Sequence, residues 1–225
     1  MGLFDPSDIA VLTGKPDTGT PEGTEQLYMP GEALFGAVAE DMRALGWAVY
    51  PQERDERRMP SMIDRRAIKI SKYFDKAPSI RETRRWSLQG ASANAAILLG
   101  PSSGYTFCLD CDISDEDKAR TVRDLAAEIL GETPFQRVGT EPKIALFYRT
   151  VPEEMPRNRS YFFLADDGES KGGDQIELLS RGKSITAYGQ HHKTGAYFRW
   201  FERAKPSTRM LALVATLAAL AALGR

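Results

Sequence analysis

Two short segments of the chain carry the residues best able to do chemistry. The first, Cys108–Ile113, places Asp110 and Asp112 one residue apart in an apolar run that is typical of a β-strand. The second, Gly189–Gly195, holds the only two histidines of the sequence. A carboxylate is costly to bury unless a cation or hydrogen bonds compensate it. The first segment therefore predicts a metal site.

The predicted strand orients its two aspartates in the same direction. Side chains alternate between the faces of a strand, so Asp110 and Asp112 share a face, with Cα atoms about 7 Å apart. Carboxylates at that spacing can share one ion or bridge two, and oxygen ligands select magnesium or manganese (Mg²⁺ or Mn²⁺) over zinc. Two such ions can activate an attacking oxygen and stabilise a leaving pyrophosphate. The alternative is that both aspartates only cap the following helix.

Glu177 is the candidate third acid. It lies in the alternating run 174–179, which also predicts a strand, and it could face the same way as the two aspartates. The alternative is an ordinary strand residue that faces solvent.

The composition limits how the chain could bind a polyanion. With 225 residues, 42% hydrophobic and 27% charged, it fits one large domain or two small lobes. The net charge of -1 means that any nucleic-acid surface must be a local cluster. The basic stretch within residues 53–85 is the candidate, and solvated helix faces are the alternative. The residues expected to contact DNA are Arg65, Arg66, Lys69, Lys72, Arg84 and Arg85.

The two cysteines indicate a reducing compartment. Cys108 and Cys111 are three apart in a predicted strand, so they point to opposite faces and do not pair. We expect a cytoplasmic protein. A redox Cys-x-x-Cys motif or half a zinc site is the alternative, but the sequence has no further cysteines to complete it.

The two ends of the chain are interpreted as additions to one central domain. Residues 1–28 are polar, lack a signal-peptide pattern and predict a flexible arm. Residues 206–225 predict an apolar helix, whose run Met210–Leu223 is shorter than the roughly 20 residues that span a bilayer. We expect this helix to pack on the core or on a partner, with no membrane contact; a membrane anchor is the alternative. The abrupt end suggests a fragment of a longer protein.

Hydrophobic periodicity predicts an α+β (mixed α/β) fold around one mixed sheet. A helix is predicted over Gly31–Leu45 and another over Ser114–Leu130, with Ser114 as its N-cap and Asp117 completing a capping box. Strands are predicted over residues 47–50, 95–100, 105–113, 143–149, 161–164, 175–179 and 183–188, with an exposed turn over 166–173.

Taken together, these segments resemble the N-terminal domain of bifunctional DNA primase–polymerases, the prim-pol domain of the archaeo-eukaryotic primase superfamily. The versions from phages and mobile elements are the most similar. Leu109–Asp112 resembles the family's first motif, a strand with two metal-binding acids, and Ile176–Glu177 resembles the motif that supplies the third ligand. Gly189–His191 with Trp200 is similar to a segment that often ends the domain. Residues 45–51, 79–86 and 94–100 resemble the segments that precede the first motif.

The resemblance implies a fold and an activity. The fold would be a primase-like catalytic core, with a mixed, mostly antiparallel sheet flanked by helices. It would occupy residues 29–205, as an N-terminal αβ lobe over about 29–103 and a metal-binding sheet lobe over about 104–205. The activity would be template-dependent nucleotidyl transfer in replication, with Asp110, Asp112 and Glu177 as catalytic metal ligands for Mg²⁺ or Mn²⁺. Its partners would be a single-stranded DNA template, dNTP or NTP, and a helicase domain or protein.

One feature departs from the family pattern. The family's middle motif usually has a histidine that contacts the nucleotide phosphates, and no histidine lies between Asp112 and Glu177. The role passes to one or more of the candidates Arg137, Lys143, Arg149 and His191, among which the sequence does not choose.

Two other functions remain as alternatives. Asp110–Ser114 could be the nucleophile motif of a haloacid-dehalogenase-type phosphatase, although that motif normally opens its domain and here lies in mid-chain. The second alternative is a non-catalytic, single-stranded DNA-binding replication factor that kept the fold, which the missing histidine favours.

Overall fold

The computed structural model describes residues 33–164 and 171–201. The predicted arm, the C-terminal apolar helix and most of the predicted 166–173 turn lie outside these residues. None of the helices within the described residues combines the length and apolar character needed to cross a membrane. The helices are α1 (Phe35–Ala44), α2 (Ile80–Gln89) and α3 (Glu116–Leu130). The strands are β1 (Ala48–Gln52), β2 (Met62–Ile63), β3 (Arg66–Ala67), β4 (Asn94–Leu98), β5 (Thr106–Asp112), β6 (Gln136–Val138), β7 (Ile144–Arg149), β8 (Arg159–Leu164), β9 (Lys171–Leu179), β10 (Ser184–Tyr188) and β11 (Arg199–Phe201).

The strands form three antiparallel sheets, where the sequence predicted one mixed sheet. The largest has the order β11-β6-β7-β5-β9-β8, the second has the order β1-β4-β10, and β2 pairs with β3 in a hairpin. The fold class is α+β, as predicted. The strands β9 and β10 are neighbours in sequence but belong to different sheets, because β10 joins β4 from the first half of the chain. Hydrophobic periodicity carries no information about which strand β10 pairs with.

Two hydrophobic cores cover the two faces of the six-stranded sheet. On one face, Cys108 and Phe147 pack in a core that includes the three-stranded sheet, α1 and α2. On the opposite face, Leu109 and Ile176 pack against the buried side of α3. The central strand β5 is therefore buried on both sides, which explains its nearly continuous apolar sequence.

Helix α3 begins one residue later than the sequence predicted. Its N-cap is Asp115, whose carboxylate accepts a 2.8 Å hydrogen bond from the backbone N–H of Lys118. The predicted cap, Ser114, instead donates its backbone N–H to Asp174 at 2.9 Å, which ties the start of the helix to β9. Asp and Ser are equally good caps, so a tertiary contact decides between them.

The basic stretch of the sequence folds into the β2–β3 hairpin and α2. Asp64 and Arg65 have φ angles of 50° and 61°, which is the conformation of a tight two-residue hairpin turn. Ser79 caps α2 in a reciprocal capping box with Glu82, and this helix buries Trp86 in the first core. The stretch is therefore ordered structure, with its cations arranged around a hairpin and one helix.

The hydroxyl of Ser103 joins the three-stranded sheet to the loop before β5. It accepts a 2.8 Å hydrogen bond from the backbone N–H of Ala48 and donates one to the carbonyl of Leu98, with no exposed surface. We expect Ser103→Ala to lower the free energy of unfolding by about 2 kcal/mol, because two buried backbone groups lose their partner. Urea denaturation measures this. Ser71→Ala, at an exposed serine, is the control and should change stability by less than about 0.5 kcal/mol; equal effects would contradict the prediction.

Candidate active site

Three acidic side chains lie on one face of the six-stranded sheet. The register of β5 with β9 places Asp110 directly opposite Glu177, and residues directly opposite in an antiparallel pair share a face. Asp112 lies two residues further along β5 and shares that face as well. We call this surface the acid face. The orientation expected for Glu177 is thus the one that the structure has.

The acids lie where the acid face leaves the first core. Cys108, two residues before Asp110, is fully buried in that core. The side chains of Asp110 and Asp112 are 31% and 41% exposed. The carboxylates therefore lie at the border between an apolar interior and solvent, where a charged ligand can reach them.

A buried arginine compensates the most interior of these acids. In the next strands, Ala145 lies opposite Asp110 and Arg137 lies opposite Ala145. The small side chain of Ala145 lets Arg137 extend across β7, so that its Nη2 comes within 3.8 Å of the Asp110 carboxylate. The side chain of Arg137 is only 8% exposed. Its positive charge is therefore shielded from solvent and acts mainly on the acid face.

The guanidinium of Arg137 keeps an unused donor. Its Cζ lies 4.4 Å from the centre of the Phe198 ring, a cation–π contact. Its buried Nε has no hydrogen-bond acceptor among the described residues. Burial lowers the pKa of Arg137 and the nearby Asp110 opposes that shift. An unsatisfied buried donor next to a carboxylate is suited to a second anionic group.

The other two acids have partners of their own. The Nζ of Lys143 lies 2.5 Å from the Asp112 carboxylate. The hydroxyl of Ser160 donates a 3.0 Å hydrogen bond to Glu177 from the neighbouring edge strand β8. Within residues 33–164 and 171–201, no three His, Cys, Asp or Glu side chains are grouped so as to hold a metal ion. A divalent ion that binds Asp112 would have to displace Lys143 from this carboxylate.

The charge balance at Asp110 favours an added cation. Burial raises the pKa of Asp110 above its ordinary value; Arg137 opposes the shift, and the negative charges of Asp112 and Glu177 add to it. Asp112 and Glu177 thus act on Asp110 in the direction opposite to Arg137, and the net shift is upward. The donor set, all carboxylate oxygens on neighbouring strands, fits Mg²⁺ or Mn²⁺ in its chemistry.

Close packing contacts fix the loop of residues 189–195, which carries both histidines. The Asn94 side chain donates to the Gln190 carbonyl at 2.8 Å and accepts from its N–H at 2.9 Å. Gly189 has a φ of +101°, and a Cβ there would lie 2.0 Å from Asn94 Oδ1, so the loop requires glycine at this position. His191 is held by a 3.2 Å contact from its Nδ1 to the hydroxyl of Thr194.

Positive charge is concentrated around His191. Burial lowers the pKa of His191, and His192, Arg137, Lys193 and Arg58 lower it further. Arg58 also lowers the pKa of Asp110, so its charge reaches the acid face from the loop between β1 and β2. The sequence had placed Arg58 only within a general basic stretch; no local pattern marks it, because its position depends on how that loop folds back.

Comparison with protein-family models identifies the family. The model described as the N-terminal domain of bifunctional DNA primase/polymerases, Prim-Pol, matches residues 39–213, which is more than half of the chain. The chain belongs to the Prim-Pol family. Comparison with curated proteins finds no individual relative that matches.

One candidate for nucleotide contact lies elsewhere in the Prim-Pol domain. Arg149 is opposite Thr106, at the other end of β5 from Asp112. Its guanidinium donates to the carbonyl of Leu45 at 2.5 Å and packs against Gly46, and thereby joins α1 to the large sheet. Arg149 thus supports the packing of α1 on the large sheet, and its place in β7 is about 13 Å along the strand from Asp110.

The predicted DNA-contacting residues do not lie on the acid face. A cleft of about 440 Å³ lies between the β2–β3 hairpin and α2, and its lining includes Arg66, Lys69, Lys72 and Arg85. Two of the predicted cations form exposed salt bridges, Arg85 with Asp64 and Arg84 with Glu40. Such exposed pairs are weak, so the cations stay available to phosphates. Arg65 is exposed at the hairpin turn.

The two cysteines offer no second site. Cys108 and Cys111 are free, as the alternation of the strand predicted, and both are buried. Burial raises the pKa of both thiols, and the nearby Asp110 adds to the shift. Neither can readily form the thiolate that metal binding or redox chemistry needs.

Arg137→Met tests the compensation of Asp110. Arg137 lowers the pKa of Asp110, so its loss raises that pKa further, and the charged carboxylate becomes more costly as the pH rises. We expect the stability of the variant, relative to the parent, to be lower at pH 8 than at pH 5, because a carboxyl whose pKa is raised in the folded state loses stability as the pH rises through that pKa. Urea denaturation at both pH values measures this.

Arg123→Met is the control for that measurement. Arg123 is an exposed arginine on α3, and its loss should shift stability equally at both pH values. A pH-independent effect of Arg137→Met would show that Arg137 does not compensate the acid.

Proposed function

We propose that the chain is a template-dependent nucleotidyltransferase, a DNA primase or DNA polymerase. The observation that carries the proposal is the pairing of Asp110 with Glu177 across β5 and β9, with Asp112 on the same face and with Arg137 and Lys143 beside the two aspartates. Membership of the Prim-Pol family points to the same activity. Replication of a phage or mobile element, with a helicase partner, is an expectation from the resemblance.

Asp110, Asp112 and Glu177 are proposed to hold Mg²⁺ or Mn²⁺. When bound, the ions supply positive charge to the attacking and leaving oxygens of an in-line displacement. The raised pKa of Asp110, to which the charges of Asp112 and Glu177 contribute, supports this assignment, since a divalent cation would stabilise the charged form of Asp110.

Arg137, Lys143 and His191 are proposed to bind the triphosphate of the incoming nucleotide, with Arg58 as a fourth contact. Arg137 and Lys143 lie next to Asp110 and Asp112, and the charge of Arg137 also acts on His191. The primer 3′-oxygen forms a bond to the α-phosphorus, the bond to pyrophosphate breaks, and the hydroxyl proton passes to solvent. The cations stabilise the charge that develops on the departing pyrophosphate. In this arrangement arginine and lysine do the work of the family's middle histidine.

The cleft between the β2–β3 hairpin and α2, here called the basic cleft, is proposed to bind the template strand. Four cations line it, with the aromatic residues Tyr73 and Trp86. The cations would contact the phosphates of single-stranded DNA, and binding would weaken as salt rises. This division places strand binding on the hairpin and α2, and chemistry on the acid face.

The second candidate function is a DNA-binding replication factor without activity. Two observations favour it: Lys143 forms a salt bridge with Asp112, and residues 33–164 and 171–201 hold no group of three His, Cys, Asp or Glu side chains placed to bind a metal ion. Strong binding of single-stranded DNA with no metal-dependent incorporation would favour this candidate over the enzyme.

Asp110→Asn tests the enzymatic proposal. The protein is incubated with single-stranded template, labelled nucleotides and Mg²⁺ or Mn²⁺, with and without a primer. We expect incorporation by the parent protein and none above background by the variant, because the variant lacks the central carboxylate. Its folding should be intact, since the substitution removes a charge from a repulsive cluster. Thermal unfolding verifies that point.

Asp124→Asn is the matched control for this assay. Asp124 is an exposed aspartate on α3 and its substitution should leave incorporation unchanged. Full activity in Asp110→Asn would refute the assignment of the acids, and an inactive parent protein that binds single-stranded DNA would support the second candidate function.

Lys143→Met tests the competition for Asp112. Without the lysine, Asp112 is free to bind a cation, so we expect Mn²⁺ to bind roughly tenfold more tightly in the absence of nucleotide. The nucleoside triphosphate should bind roughly tenfold more weakly, because a charged contact to phosphate is lost. Electron paramagnetic resonance of Mn²⁺ and calorimetry with nucleotide measure the two effects.

Lys118→Met, at an exposed lysine on α3, controls for the change in net charge. If Lys143→Met weakens Mn²⁺ binding, or leaves both ligands unaffected, Lys143 does not compete with the ion for Asp112.

A further inference from the structure

The loop between β1 and β2, residues 53–61, has an arginine at a position that suits glycine. Arg58 has a φ of 48°, in the left-handed region. Its backbone N–H donates to the carbonyl of Asp55 at 3.1 Å, which closes a turn over residues 55–58. Aspartate is favoured at the first position of such a turn and glycine at the last. Retention of a strained conformation at a residue other than glycine motivates a functional role for its side chain.

The guanidinium of Arg58 is available to a ligand, whereas that of its neighbour is not. Arg57 donates to the Asp55 carboxylate through Nε at 3.1 Å and through Nη2 at 3.0 Å. The same carboxylate accepts the backbone N–H of Arg58 at 3.1 Å. Among the acids that the structure describes, none is ion-paired with the Arg58 guanidinium. Arg58 is exposed, so its donors are open to an anionic group.

A hydrogen bond attaches the β1–β2 loop to the loop that carries both histidines. Arg54 donates from its Nη1 to the side-chain oxygen of Gln190 at 3.1 Å, and His191 is the next residue. The charge of Arg58 lowers the pKa of His191 on this side and the pKa of Asp110 on the acid face. The charge therefore acts on both borders of the proposed triphosphate site.

Exposure separates Arg58 from the other arginine proposed to contact phosphate. Arg137 is 8% exposed and lies within 3.8 Å of Asp110, whereas Arg58 is exposed and comes from a loop outside the six-stranded sheet. The α-phosphorus must lie at the acids, where the new bond forms. The β- and γ-phosphates must extend away from that point, so an exposed cation at the border of the site is placed to contact them.

We infer that Arg58 binds the β- and γ-phosphates of the incoming nucleoside triphosphate, and that Asp55 is the residue that positions it. The inference rests on the proposed function for the place of the α-phosphate. Asp55 contacts no phosphate in this arrangement; it fixes the turn from which Arg58 extends. Glycine at position 58 would relieve the backbone strain but would supply no charge, which explains why an arginine stands there.

Calorimetry of the full chain with dATP and with dAMP, in Mg²⁺ and without DNA, tests the role of Arg58. We expect Arg58→Gly to weaken dATP binding about tenfold, since a charge-assisted contact is lost, and to leave dAMP binding unchanged. The variant should unfold at or above the temperature of the parent, because glycine suits the left-handed conformation. Unchanged dATP binding, or an equal loss for dATP and dAMP, would overturn the assignment.

Two neighbouring substitutions separate the contact from a change in net charge. Arg57→Met removes a cation from the same turn and should leave both affinities unchanged, because its guanidinium is already paired with Asp55. Arg58→Lys keeps the charge but not the planar donors, and should bind dATP within about threefold of the parent. An equal loss of dATP affinity in Arg57→Met and Arg58→Gly would contradict a specific contact.

A double-mutant cycle tests the positioning role of Asp55. Asp55→Ala removes an acceptor of the Arg58 backbone N–H and should weaken dATP binding roughly threefold, the value of one hydrogen bond. Asp55→Asn keeps the acceptor and should bind dATP at least as well as the parent. In the Arg58→Gly background, Asp55→Ala should have no further effect, because the residue that it positions is gone. A loss of the same size in both backgrounds would refute the positioning role.

The inference and the proposed function fail in distinguishable ways. In primer extension, Arg58→Gly should raise the KM for nucleotide about tenfold and leave the KM for primer–template unchanged. A parent protein that binds dATP through Arg58 but incorporates no nucleotide would keep the phosphate contact and refute the enzymatic proposal. An active enzyme indifferent to Arg58→Gly would keep the enzymatic proposal and refute the inference.

Discussion

The arrangement of the molecule depends on how three like charges are tolerated at the edge of an apolar core. Asp110, Asp112 and Glu177 share one face, and burial makes the charged form of Asp110 costly. Repulsion of this kind is relieved either by protonation or by a cation. Arg137 and Lys143 supply the cations in the structure. The pKa of Asp110 remains raised despite Arg137, and a divalent ion is the further compensation that we propose.

The two cores hold that cluster in place. β5 is covered by the three-stranded sheet on one face and by α3 on the other, so the positions of its aspartates are set by packing on both sides. Trp47 and Trp200 stack with ring centres 5.8 Å apart and tie the edge strand β11 to the first core. Because functional side chains on rigid strands are more precisely placed than side chains on loops, this scaffold suits a reaction that needs carboxylates at fixed separations.

Alternation along single strands could be predicted from the sequence, and contacts between strands could not. Alternation correctly oriented Asp110 and Asp112, and it left Glu177 a candidate for the same face. Arg149, a candidate for phosphate binding, lies opposite Thr106 at the far end of β5, and alternation carries no information about position along a partner strand. The contact of Arg137 with Asp110 depends on register and on a small residue at Ala145.

The exchange of partners at Asp112 and Asp110 has a thermodynamic consequence for how ligands bind. In the structure Lys143 and Arg137 neutralise carboxylates, whereas in the proposed complex they neutralise phosphates. An ion that takes the carboxylates releases these cations for the triphosphate, and a triphosphate that takes the cations frees the carboxylates for the ion. Each ligand therefore removes the competitor of the other, and linkage requires the two effects to be equal in free energy. Metal and nucleotide should bind as a pair, and a domain built in this way keeps its acids paired until both arrive.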